Sequence, residues 1–286
     1  MKKMVNEKAY AKVNLFLNVL DKRRDGFHNL EMINVKIDLS DNIKIKKCHM
    51  TSGVLIKSND LFLSNQDNIV LQCARFMQRK YNLNSGIEIT IDKKIPYGAG
   101  LGGNSTDVAS VIKGIDQLEN LNLDLEEMQE IGIMFGADIP YCLVDYPAIV
   151  TEKGETINKF ENSLKDYYIL VVHPRIYIST ETVFKEGDKL GFKKQDISGI
   201  IKAIKDNDFS KIQKTLFNSL EEIVLQKSER IKEFRDDLVS QLGEEGLVMT
   251  GSGSTFTKII KQVDDKIMSF IDQNKDKYFV GAYKIK

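Results

Sequence analysis

The stretch IPYGAGLGGNSTDVAS, residues 95–110, constrains this chain more than any other, because Gly98, Gly100, Gly102 and Gly103 fall within six positions and a helix-like run follows directly. Glycine lacks a Cβ and reaches left-handed backbone, so a run of glycines can turn its N–H groups towards an anion. A helix beginning at once adds unpaired N–H donors and the positive end of its dipole. Ser105 and Thr106 add hydroxyls able to meet phosphate oxygens or a phosphate-bound Mg2+. A tight turn before a capped helix is the plainer alternative, but it needs fewer glycines. Two well-known glycine loops fit poorly. Gly98-x-Gly100-x-x-Gly103 satisfies the dinucleotide pattern, yet KKIPY separates it from the preceding strand, and no clear second strand ends in an acid about 20 residues on. A Walker A loop needs a lysine after the last glycine, and Asn104 stands there.

The chain is longer than one compact core usually holds, at 286 residues, so two domains are expected. Lys plus Arg equals Asp plus Glu at 41 each, which removes the electrostatic case for nucleic acid or an anionic membrane as a partner. Cys48, Cys73 and Cys142 form no CxxC pair, so neither a metal-ligand spacing nor a disulfide framework is expected. MKKMVNEKAYAKVN lacks the apolar centre of a signal peptide, and no apolar run approaches a membrane span. The expectation is a cytoplasmic protein, with no membrane and no nucleic acid among its partners.

Alternating apolar and polar residues predict strands in AYAKVNLFLNVLDK, LEMINVKIDL and DNIKIKK, with DLSDN a turn between the last two. NIVLQCARFMQRKYNL has helical spacing after a possible cap at Asp67, and GIEITIDKKIP reads as a strand. Helices are predicted over STDVASVIKGIDQLENL, DLEEMQEIGIMFG, 195–206, 208–226 and IKEFRDDLVSQL, with strands at AIVTEKG and YYILVVHP. EGLVMTGSGSTFTKIIK reads as a strand pair about a second glycine turn, Gly251-Ser252-Gly253, and a last helix leads into YFVGAYKIK. Strands and helices intermingle without regular βαβα alternation, which makes the fold class α+β in two parts, 1–155 and 156–286.

Three further positions invite chemistry. Asp138, in FGADIP, follows a helix end and precedes Ile-Pro, so it is either an Asx-type turn residue or a carboxylate held on a constrained turn. Lys12 stands in an apolar strand, where a lysine either faces water or serves as the cationic partner of a carboxylate such as Asp138. His28 follows Phe27 in the loop-like DGFHN; it is either a surface histidine or part of a site for an aromatic ring. His173 and Cys142 have no nucleophile motif beside them and read as structural.

PYGAGLGGNST resembles the P-x-x-x-G-L-G-S-S-type loop of the GHMP kinases, and AYAKVNLFLNVLDKRRDGFHNLEMINVKIDLSD, GADIPYCL and TGSGST match further family segments in order, from residue 9 to about 256. The A-K-x-N and DG[YF]H pair is the most specific part. It is similar to the branch that phosphorylates the 2-hydroxyl of 4-diphosphocytidyl-2-C-methyl-D-erythritol, in the non-mevalonate route to isoprenoid precursors. The resemblance implies a ribosomal protein S5 domain 2-like N-terminal domain, a ferredoxin-like C-terminal domain, ATP and Mg2+ as cofactors, a small cytidine diphosphate-type substrate, and a monomer or homodimer. It assigns Asp138 as catalytic base and Lys12 as its cationic partner at the acceptor hydroxyl. It places ATP on Pro96, Tyr97, Gly98, Ala99, Gly100, Leu101, Gly102, Gly103, Asn104, Ser105, Thr106 and Asp107, with Asn68 and Lys93 bordering the adenine and Ser105 or Thr106 on the phosphate-bound Mg2+. Asn14, Phe27, His28 and Phe184 are the implied substrate contacts, the two phenylalanines stacking on cytosine and the histidine meeting its edge. The family loop usually carries glycine where this chain has Asn104 and serine where it has Thr106. If position 104 needs left-handed backbone, asparagine tolerates it less well than glycine.

Overall fold

The computed structural model describes residues 3–48, 52–60, 68–160 and 164–286. Contacts divide the chain into two compact units. The first comprises Met1–Ala11, Leu39–Ile95 and Gly103–Val144, and the second Lys12–Asp38, Pro96–Gly102 and Asp145–Lys286. This division follows contacts rather than sequence order, so it is a different partition from the 1–155 and 156–286 domains.

The first unit holds β1 (Met4–Lys22) as far as Ala11, β2 (His28–Cys48) from Leu39 on, β3 (Val54–Ser58) and β4 (Gly86–Asp92), in a sheet of order β3-β4-β2-β1. β3 lies parallel to β4, and β4 antiparallel to β2 from Asn42↔Asp92 to Cys48↔Gly86. With it fold α1 (Ile69–Lys80), α2 (Gly103–Glu119), α3 (Leu125–Ile133) and the short α4 (Ile139–Cys142). Val70, Cys73, Ala74 and Met77 recur at helical spacing, so α1 buries one stripe. That stripe joins Val108, Val111, Ile112 and Ile115 of α2 and Ile43, Ile45, Ile87, Ile89 and Ile91 of the strands in one core. Burial there pushes the Cys73 thiol up to about 12. Asn68 caps α1, its Oδ1 accepting from Val70 N at 2.9 Å; Asp67, the cap expected from the sequence, lies outside the described residues.

β2 corrects one expectation. DLSDN does not turn, and the strand continues through it. Asp41 is fully buried, and its Oδ1 accepts from the backbone N–H groups of Lys94 and Ile95. A turn-forming aspartate here spends its carboxylate on a distant segment, so the local preference is overridden.

In the second unit β5 (Ala148–Glu152) pairs antiparallel with β2 from Leu30↔Glu152 to Asn34↔Ala148, and with β6 (Thr156–Lys159). β7 (Tyr168–His173), α5 (Thr180–Leu190), α6 (Ser198–Lys205), α7 (Phe209–Thr215), β8 (Phe217–Asn218), α8 (Ser219–Lys227) and α9 (Glu229–Leu242) follow. β9 (Leu247–Met249), β10 (Phe256–Ile260), α10 (Asp265–Asn274) and β11 (Phe279–Lys284) complete the chain. A second sheet has the order β11-β7-β10-β9, antiparallel throughout, and β9 and β10 form the expected strand pair about the Gly251–Gly253 turn. The helix predicted over 208–226 is interrupted at Phe217–Asn218, which pair parallel with Phe16 and Leu17. Asn218 explains the break, since its amide donates to Met249 O at 2.7 Å and Gly251 O at 2.9 Å while its Oδ1 caps α8 at Leu220 N. None of the three cysteines is in a disulfide. No helix among the described residues is long and apolar enough to cross a membrane.

His173, ending β7, is 4% exposed, and burial, followed by the charge of Arg175, lowers its pKa from an ordinary 6.5 to about 4. It therefore folds neutral, whereas the unfolded chain takes up a proton near pH 6.5. Its contribution is complete above that pH and is lost as the pH falls towards about 4, on the order of 3 kcal/mol in all. Urea midpoints measured at about pH 7 and about pH 5 are expected to fall more in the wild type than in His173→Gln. Equal falls in both would contradict it.

Candidate active site

In the second unit the glycine segment packs on the second glycine turn, backbone to backbone. Gly98, Gly100 and Gly102 have φ of +63°, +74° and +69°. A Cβ on Gly100 would collide with the Thr250 carbonyl and come within 3.1 Å of Gly253 O, and one on Gly251 would lie 2.7 Å from Gly100 O. A Cβ on Gly102 would meet Lys12 Cγ at 2.8 Å. The glycines are thus required by close approach as well as by φ.

Lys12 does not face water; it is 3% exposed, and its backbone N–H donates to Leu101 O at 3.0 Å. Its Nζ donates to Asn14 Oδ1 at 3.0 Å. Asn14 is also enclosed. Its Oδ1 accepts from Gly251 N at 3.0 Å, its Nδ2 donates to Asn34 Oδ1 at 2.6 Å, and its own N–H donates to Thr250 Oγ1 at 3.0 Å. Ala99 and Leu101 point inward, whereas Tyr97 is 41% exposed and stacks on Tyr177 at 6.3 Å between centroids. Pro96 is half-buried beside it. The structure thus brings Lys12, Asn14, the 98–102 glycines and the 250–253 turn together. Thr250, Asn34 and Tyr177 were missed from the sequence. Thr250 adjoins the glycine turn and was within reach; Asn34 is a mid-strand amide with no motif around it.

In the first unit α2 begins at Gly103, and its first turn carries no acid. Gly103 and Asn104 are helical, and neither has positive φ. The asparagine therefore needs no left-handed backbone, which corrects the concern raised by its departure from the family loop. Thr106 is 1% exposed, its Oγ1 donating to Tyr10 O at 2.9 Å, while Ser105 is half-buried. Beneath the helix start Lys93 Nζ bridges Asp41 Oδ2 at 2.6 Å and Asp107 Oδ2 at 2.7 Å, with side-chain exposures of 5%, 0% and 0%. Burial alone would lower the Lys93 pKa, but Asp107 and Asp41 outweigh it and raise it. Burial is also the largest influence on Asp107 and pushes its pKa up, against the opposing pull of Lys93. Asp107 Oδ1 has no hydrogen-bond partner among the described residues. Asn68 is 8% exposed at the start of α1. Asp138 precedes α4 with φ −80° and ψ −16°, half-buried, and its side chain makes no capping bond to that helix.

A third cluster, again in the second unit, surrounds His28. This residue opens β2 rather than lying in a loop, and it is 7% exposed. Phe184 lies 5.1 Å and Phe192 5.4 Å from its ring, and Nε2 is 2.8 Å from Asp188 Oδ1. Phe27 is 55% exposed, with Lys153 Nζ 5.6 Å from its ring centroid. His28 and Phe184 are thus neighbours. Phe192 and Asp188 were missed, though the spacing of Phe184 and Asp188 on one helical turn was a signal for the second.

Residues 68–151 match the GHMP kinases N terminal domain family. The chain is 34% identical over 252 residues to 4-diphosphocytidyl-2-C-methyl-D-erythritol kinase of Ligilactobacillus salivarius, covering 88% of this chain and 86% of that one. It is 34% identical over 254 residues to the enzyme of the same name from Listeria monocytogenes, covering 89% and 86%. The chain belongs to the 4-diphosphocytidyl-2-C-methyl-D-erythritol kinase family of GHMP kinases. Its fold is the two-sheet α/β fold of these kinases: a crystal structure of 4-(cytidine 5'-diphospho)-2C-methyl-D-erythritol kinase superposes with a TM-score of 0.82 at 24% identity, covering 98% of this chain and 99% of that one. Mevalonate kinase of L. major matches with a TM-score of 0.76 at 15% identity, covering 100% and 98%.

In the first unit the start of α2 rests on a buried triad of Lys93, Asp41 and Asp107. Lys93→Met would leave two carboxylates buried without their cation and is expected to cost about 3–5 kcal/mol in urea unfolding. Asp107→Asn leaves Lys93 with Asp41 and is expected to cost much less. Equal losses would contradict the bridging role of Lys93.

Proposed function

We propose that this chain transfers the γ-phosphoryl group of ATP to the 2-hydroxyl of 4-diphosphocytidyl-2-C-methyl-D-erythritol, in the cytoplasm, as a step of the non-mevalonate route to isoprenoid precursors. The observation that carries this is the close-packed glycine cradle with buried Lys12 against Gly102, in a chain belonging to this kinase family. Phosphoryl transfer needs the phosphates held, their charge countered and the acceptor oriented. The residues present fit a nucleotide triphosphate. Left-handed Gly98, Gly100 and Gly102 have the backbone that lets N–H groups turn towards an anion, and α2 opens without an acid to repel one.

Phosphate-bound Mg2+ supplies charge neutralisation when present. No group of His, Cys, Asp or Glu among the described residues is arranged to hold a metal by itself. Ser105 is therefore the hydroxyl assigned to the ion, since Thr106 is enclosed against Tyr10. Asp138 takes the proton of the acceptor hydroxyl, and Lys12, aimed by Asn14, favours the deprotonated oxygen. Phe27 and Phe184 stack on the cytosine, and His28 meets its edge. Asn68, which caps α1, and Lys93 border the adenine. The domain boundary near residue 155 is proposed with this reading.

The test is phosphate transfer from ATP with Mg2+ to 4-diphosphocytidyl-2-C-methyl-D-erythritol, mevalonate and homoserine in parallel. The cytidine substrate alone is expected to turn over. Asp138→Asn is expected to lower kcat by about 10²- to 10⁴-fold with ATP binding retained. Turnover of mevalonate or homoserine instead would overturn the substrate, and full activity in the variant would overturn the base.

A further inference from the structure

The cluster around His28 holds more than a stacking pair. α5 presents Phe184 and Asp188 one turn apart, and both reach the same imidazole. The ring has little room to turn. Phe192 closes it edge-on at 72°, and the segment that follows Phe192 is anchored at two residues. Ser219 Oγ donates to Lys193 O at 2.7 Å, while Asn18 donates to Gln195 O at 2.7 Å and accepts from Gln195 N at 3.1 Å. Asp188 is itself fixed, its Oδ2 held by Lys22 Nζ at 2.5 Å while Oδ1 faces His28 Nε2 at 2.8 Å. The Lys22 hydrogen bond, followed by that of His28, holds the Asp188 carboxyl below its usual range against the effect of burial.

An ionised carboxylate only accepts, so the hydrogen must lie on Nε2 of His28. In the neutral imidazole Nδ1 is then an acceptor. Nδ1 makes no hydrogen bond among the described residues, and it is not among the fully enclosed polar atoms lacking a partner. It is the atom left for a ligand. Cytosine and uracil differ at one exocyclic position, an amino donor in the first and a carbonyl acceptor in the second. An acceptor at Nδ1 pairs with the amino group and opposes the carbonyl.

We propose that Asp188 is a positioning residue that fixes His28 as the Nε2–H tautomer and so makes this site select a cytosine-bearing substrate over its uracil counterpart. The proposal rests on the reading above, in which His28 meets the edge of the base. Asp188 touches no substrate atom and acts through the imidazole alone.

The experiment measures kcat/KM for the cytidine substrate and its uridine analogue in wild type, Asp188→Ala and Asp188→Asn. The wild type is expected to prefer cytidine, and both variants to lower that ratio at least about tenfold through KM for the nucleotide-linked substrate, with KM for ATP unchanged. An unchanged ratio, or equal losses on both substrates, overturns the proposal. Nitrogen NMR of His28 in the unliganded wild type gives a second readout, independent of how the variants fold. The Nε2–H tautomer is expected, and the Nδ1–H tautomer overturns the assignment. A wild type inactive on both substrates overturns the proposed function instead, and the tautomer measurement still decides what Asp188 does to His28.

Discussion

The Oδ1 atom of Asn14 accepts from the ammonium of Lys12 and the backbone N–H of Gly251 together, and the rest of the second unit's site depends on that sharing. The amide is 1% exposed, so each of its polar atoms must be satisfied by protein. Asn34 takes one N–H of the side chain, and Thr250 Oγ1 takes the N–H of the backbone. Lys12 is thereby aimed, and the Gly251 turn is set against Gly100 at a separation that a Cβ on either residue would fill. Removing one member leaves buried donors or acceptors unpaired, which costs more than the bond itself contributes.

The first unit fixes the start of α2 by a different physical route. Here the anchor is charged, Lys93 between Asp41 and Asp107, and fully desolvated carboxylates are tolerable only because they are bonded. Asp41 accepts from Lys93, Lys94 N and Ile95 N. Asp107 has one bonded oxygen and one orphaned one, and burial raises its pKa where Asp41 shows no such orphan. A neutral amide network orients a side chain, whereas a charged triad locks the strand end to the helix.

Much of this was legible in the sequence. The glycine run, the helix after it, the GSG strand pair and the helical stripe of α1 are local patterns, and the structure contains each of them. The family followed from the A-K-x-N, DG[YF]H and GAD-x-P segments together. What escaped depended on partners distant in sequence. Asp41 looked like a turn residue because its carboxylate's partners lie some fifty positions on. Asn218 looked helical because the carbonyls it binds belong to residues 249 and 251. Asp188 carried no motif beyond its spacing from Phe184, and its partner His28 lies 160 positions earlier. Asn104 was misjudged for a smaller reason: the helix expected from Ser105 starts two residues earlier, at Gly103.

Whether Asn14 serves the reaction by aiming Lys12 is read most directly from a double-mutant cycle. Single-turnover phosphate transfer is measured for the wild type, Lys12→Met, Asn14→Ala and the double variant. If the two residues act as one device, Asn14→Ala slows transfer strongly in the wild type and scarcely further once Lys12 is gone, a coupling of about tenfold or more. Effects that simply multiply would contradict the account, and Asn14 would then be a structural amide beside a lysine that positions itself.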